Sequence, residues 1–173
     1  YWDAVKTALR DPAQALYLLR MVGWQRRAQR VRQAHADQGC HVPPILLYSV
    51  TNRCNLRCPI CFANANVQGY VYEPSYEQVV EMLRVIRNVK PVFPPAVQFS
   101  GGEPTIHPRF LDILKAARSM GFSHLQIASN GIRIAKDLGF AEKCKEAGLY
   151  TVYLQFDGTE DEVYQKTRGL PGL

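Results

Sequence analysis

Three cysteines are crowded into eight residues of this 173-residue chain, at Cys54, Cys58 and Cys61. Thiolates are soft ligands that suit zinc or iron-sulfur clusters. Their spacing would place all three on one face of a helix, but Pro59 removes a backbone donor and clashes inside a helix. The pattern therefore predicts a loop that wraps around a metal centre.

No fourth ligand lies close to these cysteines in the sequence. The remaining candidates are remote, namely Cys40, His41, His107 and Cys144. Structural zinc and cluster sites usually have four protein ligands, so three cysteines indicate a centre with an open position that binds another molecule. The alternative is a structural zinc site that a distant histidine completes. The odd number of cysteines and their crowding argue against a secreted disulfide framework and favour metal or redox chemistry in a reducing compartment.

The elements that must position this loop alternate in type after Pro43 and Pro44. Strand-like apolar runs are predicted at residues 45–50, 96–100, 124–128 and 150–156. Helical spacing is predicted between them, at residues 76–89, 108–120 and 134–147. Such alternation indicates right-handed crossovers and a parallel sheet. We therefore predict an α/β fold, a partial (β/α) barrel of TIM type of which about half is present.

Polar residues recur at alternate positions of successive strands. They are Gln98, Ser100, Gln126, Tyr153, Gln155 and Asp157. A parallel sheet covered on both faces is apolar throughout, so a polar face indicates a lumen that holds a ligand. The alternative is that these side chains satisfy one another's hydrogen bonds inside the barrel.

Turn-competent residues follow the predicted strands at their carboxyl ends. After the cysteine loop come Gly101, Gly102, Glu103 and Pro104, then Ser129, Asn130 and Gly131, and finally Asp157 and Gly158. Parallel strands bring their carboxyl ends to one edge, where such folds have their active sites. Two glycines let the backbone approach a ligand closely, and Glu103 can accept hydrogen bonds from an ammonium group. The alternative is that these segments are only turns.

The cysteine motif followed by Phe62, together with the Gly-Gly-Glu-Pro segment, resembles the signature of the radical S-adenosylmethionine enzymes. The resemblance implies that the three cysteines hold a [4Fe-4S] cluster whose open iron is chelated by S-adenosylmethionine. Reductive cleavage then yields methionine and a 5'-deoxyadenosyl radical that abstracts hydrogen from the substrate. By the same resemblance, cofactor contacts fall to Phe62, Gly101, Gly102, Glu103, Pro104, Ser129, Asn130, Gln155 and Asp157.

The sequence from residue 58 to 66 and from 98 to 104 is most similar to tetraether lipid synthases and hydroxymethylpterin methyltransferases. This similarity implies hydrogen abstraction from an unactivated carbon of a lipid or pterin, for carbon-carbon bond formation or methylation. It also implies an external electron donor of the flavodoxin or ferredoxin kind. The resemblance covers residues 45–158, and the later strands of the usual six-stranded barrel are absent from this chain.

Residues 1–42 are predicted to form a separate helical segment before the barrel, which we assign to residues 43–173. A basic amphipathic helix is predicted at residues 13–38, with an apolar stripe of Tyr17, Met21, Trp24, Ala28 and Val31. Residues 1–40 carry a net charge of +4 out of +6 for the chain, but no nucleic-acid-binding motif accompanies it. The stripe is predicted to pack on the protein's own core or to lie on a membrane surface.

The bulk composition is that of a globular domain, with 47% hydrophobic and 21% charged residues. No secretory signal is recognisable, so we expect a cytoplasmic protein, or one peripheral to the inner face of the membrane. The chain opens at Tyr1 rather than Met, and we expect both ends to be missing. The alternative function is a zinc-stabilised scaffold whose basic helix docks a partner or membrane.

Overall fold

A computed structural model describes Lys6, Arg10 and residues 12–41, 43–63, 65, 71–89 and 96–170. By its internal contacts the chain divides into two compact units, Tyr1–Pro44 and Ile45–Leu173. Among the described residues, no helix is both long enough and apolar enough to cross a membrane.

The N-terminal unit contains one long helix, α1, Pro12–Ala36. Gly39 follows the helix with a φ of 79°, a left-handed conformation that glycine adopts at helix ends. Apolar and polar residues are less clearly separated around α1 than the stripe predicts, and Leu19 and Val31 are exposed. The side chains of Tyr17, Met21 and Trp24 lie outside the described ones. The helix is therefore confirmed in position, but it is less amphipathic than predicted.

The C-terminal unit alternates strands with helices. Its elements are β1 Ile45–Thr51, α2 Tyr76–Arg87, β2 Ala96–Gly101, a 3-10 turn Pro104–Ile106, α3 Phe110–Ser119, β3 His124–Ser129, α4 Ile132–Lys136, α5 Leu138–Glu146, β4 Leu149–Leu154 and α6 Asp161–Arg168. The strands form one sheet in the order β1-β2-β3-β4, and all neighbours pair in parallel. This confirms the predicted α/β class and parallel sheet.

Most element boundaries differ from the predicted ones by one or two residues, and three differences are larger or bear on the site. β4 ends at Leu154, so Gln155 and Asp157 follow the strand instead of belonging to it. The helix predicted at residues 134–147 is divided into α4 and α5, because Asp137 is extended and its side chain caps the second helix. A further helix, α6, lies beyond Asp157, where none was predicted.

One face of the sheet packs against apolar residues of α2, α3 and α5. Its fully buried members include Leu83, Val97, Phe99, Ile113, Leu114, Leu125 and Ile127. Each such side chain contributes about 1.5–3 kcal/mol when removed from water. Phe99 also meets Phe110 edge to face, with ring centroids 6.3 Å apart. This core fixes the strands, and so it fixes the positions at which the loops leave their carboxyl ends.

The opposite face of the sheet carries polar residues of β2 and β3, as predicted, beside the exposed Leu47 of β1. Gln98 of β2 is paired in register with Gln126 of β3, and the Gln126 side-chain amide donates a hydrogen bond to Gln98 Oε1. Ser49 of β1 is in register with Ser100. The glutamines therefore satisfy part of each other's hydrogen bonding, as the alternative predicts, while both stay half-buried on this face.

Candidate functional site

The cysteine loop leaves β1 at the carboxyl edge of the sheet and is closed at its base. Asn52 N–H donates to the Tyr72 carbonyl, and Tyr72 N–H donates back to Asn52 Oδ1, both at 2.8 Å. The buried Thr51 hydroxyl donates to Glu73 Oε2 at 2.9 Å, and Arg53 forms an ion pair with the same carboxylate at 3.2 Å. The segments before and after the loop are therefore joined, which holds the cysteines near the sheet edge.

The two glycines at the carboxyl end of β2 lie directly against the backbone that leads into the cysteine loop. Gly102 N–H donates to the Thr51 carbonyl at 2.7 Å, and Glu103 N–H donates to the Arg53 carbonyl at 2.8 Å. A Cβ at Gly101 would lie 1.9 Å from Thr51 O, and one at Gly102 would lie 2.1 Å from Arg53 O. The absence of side chains at Gly101 and Gly102 therefore lets β2 pack closely against the backbone that leads to the cysteines. The prediction was a close approach to a ligand.

Glu103 is only 1% exposed, and its carboxylate accepts four hydrogen bonds from protein donors. Oε1 accepts from Thr105 N–H at 3.2 Å, from the Thr105 hydroxyl at 2.5 Å and from the Ser129 hydroxyl at 2.9 Å. Oε2 accepts from Asn130 N–H at 2.9 Å. Oε2 thus accepts one of the four bonds, so it keeps an acceptor position, and the predicted contact of Glu103 with an ammonium group stays a prediction. The side chain also joins the end of β2 to the end of β3.

The residues after β3 form a turn whose side chains reach the cysteine loop. Ser129 Oγ accepts from Gly131 N–H at 3.0 Å, and Asn130 Oδ1 accepts from Ile132 N–H at 3.1 Å as α4 begins. Asn130 Nδ2 donates to Asn55 Oδ1 at 2.8 Å and lies 3.9 Å from the Cys54 sulfur. The segment is therefore a turn, as the alternative predicts, and it also contacts the candidate ligands.

Gln155 and Asp157 are both bound by one arginine that the sequence did not single out. Arg168, at the end of α6, donates from Nη2 to Asp157 Oδ1 at 2.7 Å and from Nε to Oδ2. Its Nη1 donates to Gln155 Oε1 at 3.0 Å. The guanidinium holds the pKa of the Asp157 carboxyl below its ordinary value. These acceptor atoms, predicted to reach ribose hydroxyls, are engaged by Arg168 in this structure.

The three cysteines themselves form no disulfide bond, and all three are partly exposed. Burial raises the pKa of Cys54, and the negative charges of Glu103, Cys58 and Cys61 raise it further, while a hydrogen bond from Leu56 N–H at 3.4 Å lowers it. Cys58 and Cys61 are therefore within electrostatic reach of Cys54. Within the described ranges, no three Cys, His, Asp or Glu side chains converge on a single-ion site. In a cluster each cysteine binds a different iron, so three cysteines spread along one loop fit that group.

The apolar tip of the cysteine loop is exposed. Ile60 is 88% exposed and Phe62 is 90% exposed. The Phe62 ring is not part of the buried core, so it is accessible to a ligand. Its predicted role in cofactor binding stays a prediction. Large exposed apolar side chains beside a site are typical of binding surfaces.

His107 and Cys144, two of the remote candidates for a fourth ligand, have other roles. His107 is 2% exposed, with Nε2 3.2 Å from the Pro74 carbonyl and Nδ1 accepting from Arg109 N–H at 3.1 Å. Both ring nitrogens are therefore engaged. Cys144 lies in the core on α5, where burial raises its pKa to about 11. Cys40 and His41 belong to the N-terminal unit.

We expect the cysteines to differ in their rates of alkylation. A thiol with a pKa of about 11 is roughly 0.1% thiolate at pH 8, and the thiolate is the nucleophile. Iodoacetamide should therefore label Cys54, Cys58 and Cys61 of the metal-free native protein before Cys144, as read by peptide mass spectrometry over time. Denaturant should remove the difference. Equal native rates for Cys144 and Cys58 would contradict this placement of Cys144.

A family model and curated relatives match the C-terminal unit. The model described as the Radical SAM superfamily matches residues 48–172. The 7,8-dihydro-6-hydroxymethylpterin dimethyltransferase of Methanocaldococcus jannaschii is 53% identical over 120 residues, which cover 69% of this chain and 23% of that protein. The Fe-coproporphyrin III synthase of Methanosarcina barkeri is 34% identical over 129 residues, covering 75% and 31%. The chain thus spans about a quarter to a third of the length of these relatives.

A solved structure has the same fold. Streptococcus suis SuiB bound to S-adenosylmethionine superposes with a TM-score of 0.56 at 20% identity, over 75% of this chain and 27% of that chain. At this identity the similarity bears on the fold alone. It confirms the partial (β/α) barrel arrangement predicted from the alternation of strands and helices.

Proposed function

The chain belongs to the radical SAM superfamily, and we propose that its Cys54, Cys58 and Cys61 hold the [4Fe-4S] cluster to which S-adenosylmethionine binds. Membership of this family implies both cofactors. The single observation that carries the assignment to these residues is that one loop at the carboxyl edge of the sheet presents three cysteines that form no disulfide bond. When bound, the cluster supplies the electron that cleaves S-adenosylmethionine to methionine and a 5'-deoxyadenosyl radical.

Residues at the ends of β2 and β3 position this site. The backbone of Gly101 and Gly102 contacts the segment before Cys54, and the Asn130 side chain donates a hydrogen bond to Asn55 within the loop. We assign the methionine end of S-adenosylmethionine to the backbone of residues 101–104 and to the side of the loop next to Asn130. Glu103 joins the ends of β2 and β3, and contact of its carboxylate with the ammonium group of S-adenosylmethionine is part of this proposal. Phe62 offers exposed apolar surface for the nucleoside part.

The reaction that we propose for the whole protein is hydrogen abstraction from an unactivated carbon, leading to methylation of a pterin with carbon supplied by a separate one-carbon donor. The 53% identity to a pterin dimethyltransferase supports a pterin over a lipid. The amides of Gln98 and Gln126 on the polar face provide donors and acceptors suited to a polar heterocycle. An external donor of the flavodoxin or ferredoxin kind would supply electrons. Residues 43–173 would form the first part of the barrel. We also propose that the protein is cytoplasmic and that residues 13–38 contact the membrane surface.

Cofactor cleavage and substrate choice are tested on the full-length protein. After anaerobic reconstitution with iron and sulfide, dithionite and S-adenosylmethionine should yield 5'-deoxyadenosine, measured by liquid chromatography and mass spectrometry. Adding 7,8-dihydro-6-hydroxymethylpterin should produce a methylated pterin. Protein that holds one zinc and no iron after anaerobic purification would favour the zinc-stabilised scaffold. Absence of 5'-deoxyadenosine from iron-loaded protein would reject the enzyme proposal.

A further inference from the structure

Arg168 contacts the candidate ligand set as well as the two residues after β4. Its Nη1 lies 3.8 Å from the Cys58 sulfur, within the distance of a hydrogen bond to sulfur. The side chain is 10% exposed although it belongs to a helix that is otherwise mostly exposed. An arginine that is covered to this degree loses much of its hydration, so hydrogen bonds from protein groups must compensate for the loss.

The orientation of the guanidinium is set by Asp157. Nε and Nη2 face its carboxylate in the bidentate arrangement that arginine forms with acids, and the Thr167 hydroxyl donates to the same carboxylate at 2.8 Å. The remaining nitrogen, Nη1, is thereby directed to Gln155 and to the Cys58 sulfur. The Asp157 carboxylate thus binds Nε and Nη2 of Arg168, whereas Nη1 is free to reach the Cys58 sulfur as well as Gln155.

Two further contacts to the cysteine sulfurs come from neutral groups. Leu56 N–H lies 3.4 Å and Asn130 Nδ2 lies 3.9 Å from the Cys54 sulfur. Arg168 differs from them because it brings a positive charge to the loop, at the Cys58 sulfur.

We propose that Arg168 is a positioning residue that raises the reduction potential of the cluster through its contact with Cys58. The inference rests on the proposed function, because it needs a cluster at Cys54, Cys58 and Cys61. Reduction adds one electron, and hence one negative charge, to a group whose ligands are already anionic. A cationic donor at a ligand sulfur stabilises that reduced form more than the oxidised one.

The test is a reductive titration of the reconstituted full-length protein, with dithionite as the electron donor and electron paramagnetic resonance as the readout. Arg168→Gln removes the charge, and Arg57→Gln is the control, because it removes an equal charge next to Cys58 from an exposed position. At the wild-type midpoint, Arg168→Gln should reduce the ratio of reduced to oxidised cluster about tenfold, equivalent to about 59 mV for one electron. Arg57→Gln should shift it by less than half as much in millivolts.

Arg168→Lys serves as the second variant, since it keeps the charge but lacks the fork that binds Asp157 and reaches the sulfur together. Its midpoint should lie between those of the wild type and Arg168→Gln. Equal midpoints for wild type and Arg168→Gln at matched iron content, or equal shifts for Arg168→Gln and Arg57→Gln, would overturn the proposal. If Arg168→Gln does not retain iron, a wild-type midpoint for Arg168→Lys overturns it. A wild type that binds no cluster rejects the proposed function as well, whereas a loaded wild type with unshifted variants rejects this inference alone.

Discussion

Replacing Cys58 with alanine is expected to abolish cluster binding and, with it, cleavage of S-adenosylmethionine. The Cys58 sulfur is one of three thiols in the loop, and the loop offers no neighbouring thiol to replace it. A cluster that already leaves one iron open to a second molecule has no protein ligand to spare. Iron and sulfide content after anaerobic reconstitution, together with the visible absorbance of the cluster, measures the loss.

The matched control for this variant is Cys40→Ala, which removes a thiol of similar exposure from the N-terminal unit. Cys40→Ala should keep full iron content, whereas Cys58→Ala should keep almost none. Near-wild-type iron in Cys58→Ala would refute the ligand assignment. Equal loss of metal in both variants would likewise contradict the assignment of the metal to the three cysteines of this loop.

The second large effect is expected at Glu103, on the stability of the fold. Glu103→Gln keeps the shape of the side chain but turns one carboxylate oxygen into a donor, which then faces protein donors from Thr105, Ser129 or Asn130. Buried donors left without an acceptor cost about 1–3 kcal/mol each, and hydrogen bonds to a charged group are stronger than those to a neutral one. We expect the free energy of unfolding to fall by about 3 kcal/mol in chemical denaturation.

The same substitution at an exposed glutamate serves as the control. It separates the loss of the buried hydrogen bonds at Glu103 from the loss of one negative charge. Glu81 on α2 is 59% exposed and forms an ion pair with Arg84 on the protein surface. Such pairs contribute little, so Glu81→Gln should change the free energy of unfolding by no more than about 0.5 kcal/mol. Similar small changes for Glu103→Gln and Glu81→Gln would contradict the role given to the buried carboxylate.

The arrangement of strands and loops could be predicted because it depends on local patterns. Apolar runs and helical spacing located the four strands and the long helices. Parallel pairing then required the loops after β1, β2 and β3 to share an edge, and Asn130, Glu103 and Cys54 are indeed linked there. The family resemblance was carried by the same short segments, and the match over residues 48–172 confirms it.

The partners of individual side chains could not be predicted in the same way, because they depend on tertiary placement. Glycine allows another group to approach the backbone closely, but the sequence does not show which group does so. At Gly101 and Gly102 it is the backbone of Thr51 and Arg53. The sequence places a carboxylate beside two glycines, but it does not show that this carboxylate accepts hydrogen bonds from Thr105, Ser129 and Asn130. Arg168 is one of many arginines, and only the position of α6 brings it to Asp157 and Cys58.

The loop base shows the same limit. Glu73 and Tyr72 had no chemical pattern to distinguish them, yet they pair with the residues that immediately precede the cysteines. Their pairing requires the loop to return to its starting point, which no local propensity specifies. The sequence therefore predicts where the site lies, and the packing determines which groups hold it together.

The central claim is that three thiols of this chain hold an iron-sulfur cluster with an open iron that binds S-adenosylmethionine. Electron paramagnetic resonance of the full-length, dithionite-reduced protein, recorded with and without S-adenosylmethionine, tests it most directly. The account predicts the signal of a reduced [4Fe-4S] cluster, and a changed spectrum once S-adenosylmethionine coordinates the open iron. An iron-loaded protein whose spectrum is identical in both conditions would contradict it.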